Sequence, residues 1–201
     1  MMERSRAEML GAVAISGLLM GPALGQSHGA HVHGIGGLDI VIEGTRVEME
    51  LELSGRDVVG FEHAPSTQKQ KDAVREAAEK LKNSALLFEF PKDAGCSVGE
   101  VSVESELLDD DGDDHAHGHK DGHGHKDGHK DEHGHGDEHG DEHAEFYAHY
   151  TLDCANPKAL DGLELLVFKA FPATEAIKVR VISPRGQKAR EVHPEAARVT
   201  F

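Results

Sequence analysis

The chain has 201 residues, of which 38% are hydrophobic, and a formal net charge of −16 at pH 7. Such an acidic chain is a poor ligand for nucleic acid or for anionic membrane surfaces, so neither is an expected partner. The length suits one globular domain with a real core, once two atypical segments are set aside.

The first atypical segment is the N-terminus. Residues 9–24 are apolar, follow Arg4 and Arg6, and lead into the small residues Ala23 and Gly25. This arrangement is typical of a secretory signal peptide, and the apolar stretch is short for a membrane span. We therefore predict a signal peptide over residues 1–25, cleaved to give an exported chain without a membrane span. An uncleaved anchor is the alternative.

Alternating apolar residues predict strands after this segment. Val47, Met49, Leu51 and Leu53 alternate with charged residues, and residues 38–42 would pair with this strand through a turn at 43–45. Further strands are predicted over residues 86–90, 98–108, 146–152, 163–168, 177–182 and 198–201, with a short helical turn over 156–161.

One helix is predicted over residues 67–82. Its apolar side chains recur at helical spacing, Thr67 and Gln70 fit a capping box, and Asn83 suits the C-terminal end. One long helix with mostly antiparallel strands predicts an α+β fold. Residues 26–108 and 144–201 would form the two parts of a single domain.

The second atypical segment is the run 109–143, which holds ten histidines and thirteen acidic residues but no Val, Ile, Leu, Phe or Tyr. It cannot bury a core, so we predict a disordered loop between two strands. Imidazole is the commonest metal-binding side chain, and hydration alone does not require ten of them. The loop is therefore predicted to bind zinc, and other divalent transition metals in vitro, rather than to serve as an acidic linker. Its histidines are His115, His117, His119, His123, His125, His129, His133, His135, His139 and His143.

Two cysteines, Cys96 and Cys154, flank this run. An exported chain with two cysteines most simply forms one disulfide, here closing a loop of 59 residues. A chain-entropy argument gives about 4 kcal/mol of stabilisation. The alternative is a thiolate metal site, but neither cysteine has the C-x2-C spacing of such sites.

A sparser set of metal-ligating residues lies outside the run. His31 and His33 have an H-x-H spacing that places both side chains on one face of an extended segment. Glu62 and His63 precede the predicted helix, and His143, Glu145 and His149 lie where the chain re-enters the sheet. Tight zinc sites take three or four such ligands from ordered backbone, so these residues predict one ordered site. His193 is predicted to be an ordinary surface residue.

Several segments occur in an order that resembles the ZrgA-type family of zinc-uptake proteins. They are AHVHGIGGLDI near the start, GFEHAP before the helix, Cys96, the His-rich run, HAEFYAHYTLDC, LLVFKAFPATEAIKV and Gly186-Gln187. The resemblance covers nearly all of the chain after the signal peptide. It implies a periplasmic zinc-binding accessory to metal import that works near an ATP-driven transporter. Through it, His31, His33, Glu62 and His63 belong to the family motifs.

Two other functions are weighed against a zinc-binding protein that captures or buffers the ion. A zinc-dependent hydrolase needs three protein ligands, an open position and a general base, for which Glu62 is a candidate. The sequence contains no H-E-x-x-H or G-x-S-x-G motif, and a hydrolase has little use for a long chelating loop. We therefore predict that the chain is not an enzyme. A periplasmic metal sensor is the remaining alternative.

Overall fold

The computed structural model describes residues 32–108 and 144–201. The predicted signal peptide and the His-rich run lie outside these residues. The described strands are β1 (Ile35–Glu43), β2 (Arg46–Ser54), β3 (Phe88–Glu89), β4 (Cys96–Glu104), β5 (Glu145–Cys154), β6 (Gly162–Leu165), β7 (Ala176–Ser183), β8 (Gly186–Val192) and β9 (Arg198–Thr200). The described α-helices are α1 (Gly55–Val59), α2 (Gln68–Lys82) and α3 (Val167–Ala170).

The strands form two sheets. The large sheet has the order β4-β5-β2-β1-β7-β8, and the small sheet has the order β3-β6-β9. Each pairing is antiparallel except that of β1 with β7, which is parallel. The predicted sheet-rich and mostly antiparallel architecture is therefore confirmed.

Strand alternation places one face of the large sheet in the core. In β2 the apolar residues Val47, Met49, Leu51 and Leu53 are all buried, whereas Glu48 between them is exposed. The β1–β2 hairpin forms through a two-residue turn that includes Gly44, whose φ of 62° suits glycine. The predicted hairpin is thus present, although β1 starts three residues earlier than the pattern indicated.

Helix α2 packs against this core. Thr67 and Gln70 form the capping box at its start, and Val74, Ala77, Ala78 and Leu81 are its buried residues. The Tyr150 hydroxyl donates to the Leu81 carbonyl at 2.6 Å, which satisfies one of the carbonyls at the end of the helix. No helix among the described residues has the length and apolar character needed to cross a membrane.

Several predicted elements differ from those observed. The strand expected over 86–90 is reduced to β3, because residues Ser84–Leu86 form a 3-10 turn. The strand expected over 163–168 ends at Leu165 and is followed by α3, because a short apolar run fits a buried strand and a buried helix equally well. The strand expected over 98–108 is β4, which ends at Glu104. Helix α1 and strand β8 were not predicted.

The disulfide between Cys96 and Cys154 is present, with an S–S distance of 2.06 Å and a sequence separation of 58. The two cysteines are direct partners in the β4–β5 register. We call this end of the large sheet the disulfide end. At the opposite end β4 finishes and β5 begins, flanking residues 109–143, and we call it the loop end. Strands β1 and β7 also begin at the loop end, and β2 ends there.

Candidate metal centre

Two predicted ligands, His33 and Glu62, meet at the loop end of the large sheet. The His33 Nε2 atom lies 3.1 Å from Glu62 Oε1 and 3.2 Å from Glu62 Oε2. His33 precedes β1 and Glu62 follows α1, so the fold joins positions 29 residues apart. The Glu62 side chain is only 17% exposed and that of His33 is 46% exposed. The pair is therefore half enclosed yet open to solvent on the imidazole side.

The spacing of this pair suits a zinc ion. Zinc takes imidazole nitrogen and carboxylate oxygen at about 2.0–2.2 Å, so two ligand atoms of a tetrahedral ion lie about 3.3 Å apart. The observed distances of 3.1 and 3.2 Å are close to that value. A small outward movement of either side chain would admit the ion.

Asp57, which no sequence motif pointed to as a site residue, positions the chain beside His33. Its carboxylate is buried and accepts the Gly34 N–H at 2.8 Å. Gly34 has a φ of 83°, a conformation that glycine adopts without strain, so the chain turns sharply after His33. The Asp57 N–H in turn donates to Ser54 Oγ at 3.2 Å, which caps α1. The spacing Ser54-x-x-Asp57 is the signal that would have predicted this cap.

Gly55 brings three chain segments together, one of which continues into Glu62. Its N–H donates to the Ala144 carbonyl at 2.7 Å. A Cβ atom at this position would lie 2.8 Å from the Phe61 carbonyl oxygen and 2.9 Å from the Ala144 carbonyl oxygen, too close for any side chain. The residue before Glu62 and the first described residue after the His-rich run therefore contact the same glycine.

Glu145, also predicted as a ligand, is a buried carboxylate next to this glycine contact. It pairs with Ser54 in the β2–β5 register, and its N–H donates to Glu106 Oε2 at 3.4 Å. Its own carboxylate accepts the hydroxyl of Tyr147. Burial is the main cause that raises the pKa of the Tyr147 phenol, and the hydrogen bond to Glu145 is the second. The hydroxyl therefore remains a donor across the physiological range.

The structure does not bring His63 and His149 to the pair. The His63 ring stacks on Phe61 with centroids 5.1 Å apart, and its Nδ1 lies 3.0 Å from the Ala64 carbonyl. His149 Nδ1 lies 3.4 Å from Glu50 Oε2 in the middle of β5. His193, predicted to be ordinary surface, lies 3.2 Å from Glu191 and near the Glu175 carbonyl.

The remaining predicted ligands, His31 and the ten histidines of the run including His143, lie outside the described residues. Within residues 32–108 and 144–201, no group of three or more His, Cys, Asp or Glu side chains is arranged to hold a metal ion. The described part of the chain thus supplies a pair of suitable donor groups, and the full ligand set stays a prediction.

Comparison with known proteins assigns the family. No curated protein matches the chain. The family described as ZrgA family zinc uptake protein matches residues 30–201, which is nearly the whole chain after the predicted signal peptide. The resemblance seen in the motifs is therefore confirmed, and the chain belongs to the ZrgA family of zinc uptake proteins.

Proposed function

We propose that this protein binds zinc in the periplasm, where it captures or buffers the ion and assists its import. The observation that carries the proposal is the His33–Glu62 pair, whose donor atoms lie at a spacing suited to zinc. Membership of a zinc uptake family supports the choice of metal. Zinc is here the cargo of the protein, bound and then released.

We propose that three protein ligands hold the ion in the ordered site. His33 and Glu62 are two of them, and His31 is the third because an H-x-H spacing allows both imidazoles to reach one ion. His143 is the next candidate, since it is bonded to Ala144, whose carbonyl accepts the Gly55 N–H at the loop end. A set of three leaves one coordination position open, which suits exchange of a cargo ion.

We propose that the His-rich run and the ordered site have different roles in zinc binding. Its ten histidines and thirteen carboxylates would provide several weak sites and a negative potential that concentrates cations. The run joins Leu108 to Ala144, and both lie at the loop end with the His33–Glu62 pair. We propose that ions collected by the run pass to the ordered site and then to a zinc-import transporter.

The proposal is tested by zinc titration of residues 26–201 in which the nine histidines of the run other than His143 are replaced by asparagine, here called the loop-silenced protein. His33→Ala and Glu62→Gln should each weaken the remaining tight site at least tenfold, or about 1.4 kcal/mol. His193→Ala is the matched control, because it removes an imidazole that lies 3.2 Å from a carboxylate but belongs to no predicted site. Equal affinity in all three variants would remove the pair from the site.

A hydrolase is separated from a binding protein by assaying the zinc-loaded protein on model esters and phosphates. Glu62, the candidate general base, is already engaged by His33. We expect no turnover above that of free zinc. Turnover that disappears in Glu62→Gln would favour the hydrolase.

A further inference from the structure

A cleft of about 400 Å³ opens beside His33 at the loop end. It is lined on one side by Arg56 and Gly60 of the α1 region and on the other by Glu175, which precedes β7. Its volume falls within the range of pockets that hold small molecules. The cleft is therefore a candidate site for a ligand that also reaches the metal.

Two opposite charges face this cleft without pairing. Arg56 and Glu175 are both exposed. Within the described residues, neither the Arg56 guanidinium nor the Glu175 carboxylate makes an ion pair, with each other or with another side chain. Asp57, the third charged residue of the lining, is buried and holds the Gly34 N–H. One cation and one anion thus remain available across the same space.

Two residues that line the cleft, Gly34 and Gly60, have no side chain. A Cβ atom on Gly34 would lie 3.3 Å from the Glu175 side chain, so glycine allows that side chain to pack over the backbone next to His33. Gly60 has a φ of 88°, and no atom lies within 4 Å of the position that its Cβ would take. A ligand can therefore approach the backbone on the Arg56 side.

We propose that the cleft binds a free α-amino acid whose side chain coordinates zinc, so that the ion is taken up as an amino-acid complex. Arg56 would bind the α-carboxylate and Glu175 the α-ammonium group, and the amino-acid side chain would fill the open coordination position beside His33. Two carboxylates in the lining repel a polyanionic chelator, whereas a zwitterion matches both signs of charge. The inference rests on the proposed zinc site and specifies the form of its cargo.

The probe is L-histidine, which combines an α-carboxylate and an α-ammonium group with an imidazole side chain. Equilibrium dialysis of the loop-silenced protein with labelled histidine should show about one histidine retained per chain when zinc is present, and little without zinc. Arg56→Gln and Glu175→Gln should each lower histidine affinity at least tenfold. Arg56→Lys keeps the charge but loses the planar fork, so it should fall between these variants and the parent. Zinc affinity measured without histidine should change less than twofold in all three.

Two matched controls remove the same charges elsewhere. Arg46→Gln lies at the disulfide end, where Arg46 pairs with Glu48, and Glu89→Gln lies in the small sheet. Both should retain histidine like the parent. Imidazole with acetate, supplied as separate molecules, should be retained far less than histidine.

The outcomes separate this inference from the proposed function. Zinc binding without histidine retention, or equal retention in Arg56→Gln, Glu175→Gln and the controls, overturns the amino-acid site and leaves the zinc site standing. Retention of imidazole equal to that of histidine also overturns the amino-acid site, because the α-carboxylate and α-ammonium groups of histidine would then contribute nothing to binding. Absence of zinc binding in the loop-silenced protein without histidine overturns the proposed ordered site itself.

Discussion

Replacing Asp57 by alanine is expected to weaken both the fold and zinc binding. Asp57 as a whole residue is 7% exposed, and its carboxylate accepts the Gly34 N–H at 2.8 Å in a buried contact. Alanine removes the acceptor and leaves that N–H without its partner. Because Gly34 is bonded directly to His33, the same change loosens the backbone that carries the imidazole.

The size of the effect follows from the kind of bond. A hydrogen bond to a charged group contributes about 1.5–3 kcal/mol, and a buried donor left unsatisfied costs about 1–3 kcal/mol. We therefore expect the free energy of unfolding to fall by about 2–3 kcal/mol. For zinc, losing the fixed position of one ligand should lower the affinity at least tenfold, or about 1.4 kcal/mol.

Ser54→Ala is the matched control for this prediction. Ser54 Oγ accepts the Asp57 N–H at 3.2 Å, so its loss removes the cap of α1 and costs about 1 kcal/mol. The bond between Asp57 and Gly34 stays intact, and zinc affinity should change less than twofold. Asp57→Asn keeps an acceptor oxygen without the charge and should lie between the two variants.

The assay combines urea unfolding, followed by circular dichroism, with zinc calorimetry on the loop-silenced protein. The two variants should differ in their effect on zinc binding. Ser54→Ala should lower stability alone, whereas Asp57→Ala should lower both stability and zinc affinity. If Asp57→Ala binds zinc as tightly as Ser54→Ala, the Gly34 contact does not position His33, and the reasoning fails.

Three further results are expected. Deleting residues 110–142 should remove several weak zinc equivalents and retain one tight site, and calorimetry that finds no binding at all would exclude an ordered site. Thiol labelling of the denatured, unreduced protein should find no free sulfhydryl, and replacing Cys96 and Cys154 by alanine should lower stability by about 4 kcal/mol, more than the loop deletion does. Burial raises the pKa of the phenols of Tyr147 and Tyr150, the two tyrosines of the chain, so absorbance at 295 nm should stay flat until pH rises above about 10. A raised folded-state pKa contributes stability below the unfolded value, so the free energy of unfolding should fall above about pH 10, and titration of native phenols at that pH would contradict the burial.

The sequence predicted the elements that alternate strongly. In β2 and β5 each inward position is apolar and each outward position is polar, so a period of two is visible without a structure. Strand β8 shows no such period, because Val192 is its one buried residue and the others face solvent. It is held instead by its pairing with β7, which no local pattern encodes.

The sequence motifs named His33 and Glu62 among the candidate ligands, but no local pattern indicated that these two side chains meet. Glu62 and His63 are neighbours in sequence, and both were expected to contact the metal. In an irregular extended segment successive side chains point to opposite sides, and here His63 stacks on Phe61 while Glu62 reaches His33. No sequence pattern indicated that Asp57, Arg56 and Glu175 lie near His33, because their proximity depends on the β1–β7 pairing and on the turn after β2.

The two ends of the β4–β5 pair are held together in different ways. Cys96 and Cys154 join the strands at the disulfide end, whereas the His33–Glu62 pair and the residues that flank the His-rich run, Leu108 and Ala144, lie at the loop end. A crosslink at the disulfide end limits the entropy of the unfolded chain wherever it sits, so it need not touch the His33–Glu62 pair. The ends of the strands that flank the run are then held by backbone pairing and by the Ala144–Gly55 contact rather than by a covalent bond. We therefore expect that changes in the length or histidine content of the run alter zinc binding without unfolding the domain.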